Sequence, residues 1–139
     1  MKDLASNIDV KRVISPASVA DNTAQVSQII DMQGNDALTF VIATGSIADV
    51  DATFAVLVEH GDAANLSDAA AVPDEQLVGT EALAGFQFDD DNECRKIGYR
   101  GGKRYVRLTV TPSANASAAL LAAVAVLQPM LQPAANPPA

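Results

Sequence analysis

From Lys103 to Thr111 the chain alternates strictly between two faces. Arg104, Val106, Leu108 and Val110 fall on one side of an extended backbone, and Lys103, Tyr105, Arg107, Thr109 and Thr111 on the other. A period of two, in a run rich in Val, Thr and Tyr, predicts a half-buried strand. The preceding run Arg95–Arg100 ends at Gly101-Gly102. Glycine reaches φ > 0 without steric cost, as tight two-residue turns require, so the two runs read as a hairpin.

The same reading extends along the chain. Ile8–Ser15 alternates in part and predicts a first strand that Pro16 ends. Ala24–Met32 predicts a second, and Gly34-Asn35-Asp36 a turn. Ala37–Thr44, ALTFVIAT, is almost continuously apolar and β-branched, the pattern of a strand buried on both faces. Asp51–His60 is the next strand, with Phe54, Val56 and Val58 on one side. Ala63–Asp74 reads as a loop, Gln76–Thr80 and Ala84–Phe88 as short strands. Ala118–Leu127, ALLAAVAVLQ, admits a helix or a strand; no charge marks the wet face of a helix, which favours a strand beside Lys103–Thr111.

About eight short strands separated by turn signals predict an all-β fold, an antiparallel β-sandwich of jelly-roll type. Phe40, Ile42, Phe54, Val56, Val106, Leu108 and Val110 are its expected core. Residues 8–127 form one domain. Met1–Asn7 reads as an N-terminal arm, and 128–139, with four prolines, as an extended tail. A chain of 139 residues fits a single domain, and 49% hydrophobic residues suffice for a core of aliphatic side chains, since Trp is absent. No apolar run is long enough for a membrane span, and the N-terminus shows no apolar signal segment, so neither membrane nor secretion is expected.

Charge adds a further feature. The net charge is −8, yet Arg95, Lys96, Arg100, Lys103, Arg104 and Arg107 supply six of the nine cations, and none lies between Val13 and Cys94. An acidic chain argues against nucleic acid as the main partner, because phosphate contacts drive that affinity. The basic segment has three readings: pairing with carboxylates of its own domain, contact with an acidic protein surface, or stacking of Tyr99 and Tyr105 on bases. Under the second reading Arg95, Lys96, Arg100, Lys103, Tyr105 and Arg107 are the interface candidates.

The sequence offers little for catalysis. Asp89, Asp91 and Glu93 are weak candidates for a calcium loop; the EF-hand spacing fails, since Cys94 and Arg100 stand where Gly and Glu are needed. A solvated turn is the simpler reading. His60, between Glu59 and Asp62, lacks a nucleophile pattern and reads as a surface residue at a strand end. One histidine and one cysteine exclude a two-His metal site and an internal disulfide. Neither an enzyme nor a bound cofactor is expected.

The stretch KIGYRGGKRYVRLTVTP, followed after a polar spacer by AALLAAVAVL, resembles a small protein of the structural gene sets of tailed bacteriophages and prophages. VSQIIDMQGNDALTFVIATG and FAVLVEHGDAANLSDAAAV extend the resemblance over most of Ile8–Leu127. It implies a virion protein made in the bacterial host cytoplasm, foremost a capsid decoration or cement protein on the capsid surface. Its partners would be the major capsid protein and copies of itself, as a trimer or other homo-oligomer on the shell. The resemblance carries no defined site. A head–tail connector or tail component is one alternative, and a carbohydrate-binding sandwich module is one of another class.

Overall fold

The computed structural model describes residues 2–130. Its strands are β1 (Asp9–Val19), β2 (Gln25–Val26), β3 (Ile30–Asp31), β4 (Asn35–Ile47), β5 (Thr53–Gly61), β6 (Ala70–Ala71), β7 (Leu77–Val78), β8 (Phe86–Gln87), β9 (Cys94–Tyr99), β10 (Tyr105–Ser113) and β11 (Ala119–Pro129). One sheet has the order β1-β11-β4-β9-β7. The other has β10 and β5 at its centre, with β2 and β3 beside β10, and β6 and β8 beside β5. All pairings among the described residues are antiparallel.

The two sheets face each other as a sandwich. The chain crosses back and forth between them: β1, β4, β9 and β11 lie in one, and β2 with β3, β5 and β10 in the other. This is the winding of a jelly roll. It follows from the alternating pattern, because each strand has one apolar side and the two sets of apolar sides bury only against one another. Phe40, Ile42, Leu108, Val106 and Val110 have no measurable exposure, and Phe54 and Val56 are buried with them. The seven expected core residues are therefore all in the core. Each such side chain contributes about 1.5–3 kcal/mol by leaving water.

Several local expectations are corrected. Arg95–Arg100 and Lys103–Thr111 do not form a hairpin. β9 lies between β4 and β7 in one sheet, and β10 pairs with β5, β2 and β3 in the other. Gly101 and Gly102 lie on the crossing between sheets, and neither has positive φ; the glycines that do are Gly34 and Gly79. Gly101 is needed for space instead, since a Cβ there would lie 2.5 Å from Tyr99 Oη. Ala118–Leu127 is a strand, but it pairs with β1 and β4 and not with β10. Alternation reports that a strand exists and cannot report its neighbour.

Pro16 does not end the first strand. β1 continues to Val19 through two irregularities, between Arg12 and Ile14 and between Ile14 and Ala17. A proline N–H is not missed at such a bulge on an edge strand. Ala24–Met32 is broken into β2 and β3 by buried Ser27, whose Oγ accepts the Leu108 N–H at 2.9 Å and donates to the Gln28 carbonyl at 2.8 Å. Glu81–Ala84 forms one helical turn capped by the Thr80 side chain, so β8 starts only at Phe86. Gln128 and Pro129, assigned to the tail, still belong to β11, and the Met130 N–H reaches the Gly34 carbonyl at 2.9 Å. The rest of that segment, and Met1, lie outside the described residues.

Candidate functional site

The cations that cluster in sequence are dispersed in space. Arg95 shares the inward side of β9 with Ile97 and Tyr99, and at the end of the sandwich it bridges Asp90 at 2.9 Å and Glu93 at 2.6 Å. The hydrogen bond it donates to Glu93, and the neighbouring carboxylates, hold its pKa above the ordinary value. Lys103 meets Asp62 at 2.8 Å, and exposed Arg104 meets Asp31 with two bonds of 2.9 Å. Arg107 projects from the outer side of β10 and pairs across to Glu59 on β5 at 3.1 Å. Tyr105 shares that outer side, half-buried, with the Arg104 guanidinium 5.0 Å above its ring. Arg100 donates to the Glu75 carbonyl at 3.1 Å. Lys96 lies on the opposite sheet, on the outer side of β9.

The acidic turn is likewise held by its own domain. Asp91 accepts the Ile47 N–H at 3.0 Å, Asp90 accepts the Gln87 N–H at 2.9 Å, and Glu93 and Asp90 hold Arg95. Asp89 is exposed. Among the described residues no three His, Cys, Asp or Glu side chains converge as a metal site would need.

His60 is buried, contrary to its expected place at the surface. It has the same parity as Phe54, Val56 and Val58, and so points inward from β5. Its Nδ1 lies 2.8 Å from Tyr99 Oη, the rings meeting edge to face. Tyr99 Oη also accepts the Lys103 N–H at 3.0 Å. A neutral imidazole can take the hydroxyl proton at Nδ1 while Oη accepts from Lys103. Burial, and then the Lys103 ammonium, push the imidazole pKa below its ordinary value. These three residues tie β9, β5 and the crossing between them.

The feature that the charge pattern did not indicate is the outer face of the five-stranded sheet. Its two central strands carry apolar side chains on both sides. On β11, Leu121, Ala123 and Ala125 point into the core, and Leu120, Ala122, Val124 and Val126 point out. On β4, Leu38, Phe40 and Ile42 point in; Thr39, Val41 and Ala43 point out. Val124 is opposite Val41, and Val126 opposite Thr39. Leu120 is 45% exposed and Val124 38%. On the flanks Val10 and Val78 are exposed as well. The depression beside Leu120, about 400 Å³, is lined by Pro16, Ala17, Ala43 and Gly45. Another, of about 290 Å³, is lined by Leu4, Ile8, Thr39 and Val126. Cys94, a free and exposed thiol, lies opposite Ala43 on the same side. The signal was present in the continuous runs ALTFVIAT and ALLAAVAVL. The first was expected to be buried on both faces; the described residues leave one of them partly open.

No protein-family model matches the sequence, and no curated protein matches it. Solved structures of similar architecture include the SPBc2 prophage-derived protein YomS, matched over 90% of this chain and 99% of that one at 11% identity and a TM-score of 0.47. A capsid chain of Ralstonia phage GP4 matches over 94% and 90% at 9% identity and a TM-score of 0.49. The xylan-binding module CBM15 matches over 91% and 93% at 10% identity and a TM-score of 0.44. In latent PorU of Porphyromonas gingivalis the match takes up 13% of that chain and 91% of this one, at 13% identity and a TM-score of 0.44. Matches at these identities and TM-scores assign no role to this chain. No helix among the described residues is long and apolar enough to cross a membrane.

Proposed function

We propose that the chain is a non-enzymatic structural protein of a tailed-phage or prophage virion, a capsid decoration protein that packs on the shell of the major capsid protein. The observation that supports this reading is the outward apolar side of β11 and β4, set on a rigid two-sheet body. Strands apolar on both sides are the mark of a sheet covered on both sides, and the described residues leave the second side open. The sequence resemblance over most of Ile8–Leu127 points to a virion as the place where such a cover exists.

The carbohydrate-binding reading is weaker on the same coordinates. Sugar platforms of sandwich modules rely on exposed aromatic rings. Phe40, Phe54, Phe86 and Tyr99 are buried, which leaves Phe88 and the half-buried Tyr105. The test is quantitative mass spectrometry of purified virions. A copy number that scales with the major capsid protein is the expected result. A ring's worth of copies per particle would make the protein a connector or tail component, and its absence from particles would end the virion reading.

A further inference from the structure

On the exposed face of the five-stranded sheet, charge is arranged as well as apolar surface. The cross-strand register places Arg12, Val124, Val41 and Lys96 in one row over four adjacent strands. Arg12 and Lys96, both exposed, thus stand at the two ends of a row whose middle is valine. Three strand spacings separate them, about 14 Å. Neither takes part in the ion pairs formed among the described residues, and Arg12 bonds instead to the neutral Ser15 Oγ at 2.6 Å. The segments that build the face, residues 10–18, 39–45, 94–98 and 120–126, contain no Asp or Glu, although the whole chain carries 17. The strip is thus apolar, rimmed by two cations and built from segments without carboxylates.

We infer that this face docks a protein surface of complementary chemistry, an apolar centre flanked by carboxylates, and that the occupant is not the same face of a second copy aligned on it. The inference rests on the decoration reading for the partner's identity, which is then the major capsid protein. Aligned self-pairing is opposed by charge. A face-to-face dimer has its two-fold axis in the plane of contact. If the axis runs along the strands, Arg12 meets Lys96 of the other copy. If it runs along the row, each cation meets its own equivalent. Both aligned arrangements put like charges together around an apolar centre, where such contacts are costly. Edge-to-edge growth is hindered too: β1 is interrupted twice, between Arg12 and Ile14 and between Ile14 and Ala17, the Val13 carbonyl on its far edge already accepts the Gln28 N–H at 2.9 Å, and β7 has only two residues.

Size agrees with a docking role. Measured from cation to cation, the strip spans about 14 Å across the strands and about 20 Å along them, near 300 Å². A stable interface takes about 800 Å² from each partner. The cationic rim and the flanking Val10 and Val78 therefore have to enter the contact, and that gives the rim its part in selecting an acidic partner.

Cys94 supplies a test on the unaltered chain, because it is the single cysteine and lies on this face opposite Ala43. Empty shells of the cognate major capsid protein are mixed with the wild-type chain, and maleimide labelling of Cys94 is timed with and without shells. Labelling is expected to slow on binding. Val124→Asp is expected to weaken shell binding by about tenfold or more, the loss of one central anchor. The double change Arg12→Glu with Lys96→Glu should weaken it too, whereas Leu57→Asp on the outer side of the other sheet should not. Binding that leaves Cys94 fully reactive and is lost in Leu57→Asp would overturn this face while leaving the decoration reading intact. Failure of the wild-type chain to bind shells, with its absence from virions, would remove the decoration reading itself. Sedimentation of the chain alone completes the test: an oligomer that Val124→Asp dissolves would make a second copy the occupant and overturn the inference.

Discussion

Gly101 and Gly102 are neighbours in sequence with opposite roles, and alanine at each separates them. A Cβ on Gly101 would lie 2.5 Å from Tyr99 Oη, 2.7 Å from Tyr99 Cε1 and 2.6 Å from Gln76 Oε1. Tyr99 is only 3% exposed, so its ring has nowhere to retreat. Moving it breaks the contact with His60 Nδ1 at 2.8 Å and the one from the Lys103 N–H at 3.0 Å. Each such bond is worth about 0.5–1.5 kcal/mol. Forcing an extra methyl into a filled site adds about 1–3 kcal/mol. Gly101→Ala should therefore cost about 2–6 kcal/mol. At Gly102 there is no atom within 4 Å of the new Cβ and φ is not positive, so alanine should be neutral or should stabilise by about 0.4–1 kcal/mol through the unfolded chain. Urea unfolding followed by circular dichroism measures both. Tyr99→Phe provides the cross-check: with the hydroxyl gone, Gly101→Ala should cost less than in the wild-type chain, a coupling of about 1–2 kcal/mol. Equal stability of the two alanine variants, or no coupling to Tyr99, would show that the packing around the crossing is not what requires glycine.

Further outcomes follow from the same coordinates. Leu108→Ala leaves a cavity between the sheets and should cost about 2–5 kcal/mol in urea unfolding. Ser27→Ala strips the buried Leu108 N–H of its Oγ acceptor and should cost about 1–3 kcal/mol, read as a lowered midpoint with an unchanged slope. His60 gives a pH dependence with a defined sign. Its folded pKa is depressed by burial and by Lys103, against the opposing pull of Asp62 and Asp68, so the fold favours the neutral ring. That stability is complete above the unfolded value of about 6.5 and drains as pH falls from there toward the folded pKa. Melting temperature should drop between pH 7 and pH 5, above the range where carboxylates titrate, and His60→Gln should flatten the drop; a wild-type chain insensitive over that interval would contradict the buried neutral imidazole.

The strands and their inward residues were legible because burial in a sandwich leaves a period of two, and Val106, Leu108 and Val110 display it fully. Their partners were not legible, because pairing depends on crossings whose direction no local pattern records. Arg95–Arg100 and Lys103–Thr111 look like a hairpin for this reason, yet they belong to different sheets. Charge proximity in sequence misled in the same way. Arg107 is held by Glu59 and Arg104 by Asp31 through a register that only the folded sheet defines. His60 was readable in principle, since its parity matches that of Val58, but its place at the strand end suggested solvent. The exposed apolar face was half-legible: ALTFVIAT announced a strand wanting cover on both sides, and only the structure shows which side the single chain leaves open.

β11 lies between β1 and β4, and Asp9 at the start of the first strand pairs with Leu127 near the end of the last. The domain thus cannot be completed in the order in which it is synthesised. When β4 leaves the ribosome, its neighbour on one side is still most of a chain length away, and β1 has no partner in its sheet until then. Pairings between residues so distant in sequence bear a loop-closure cost before any contact repays it, which places such topologies among the slower-folding small domains, at milliseconds to seconds. Until β11 arrives, the apolar edges of β1 and β4 remain open to other nascent chains. The interval between synthesis of β4 and closure by β11 is the period of greatest exposure to aggregation, and slower translation before residue 119 would lengthen it.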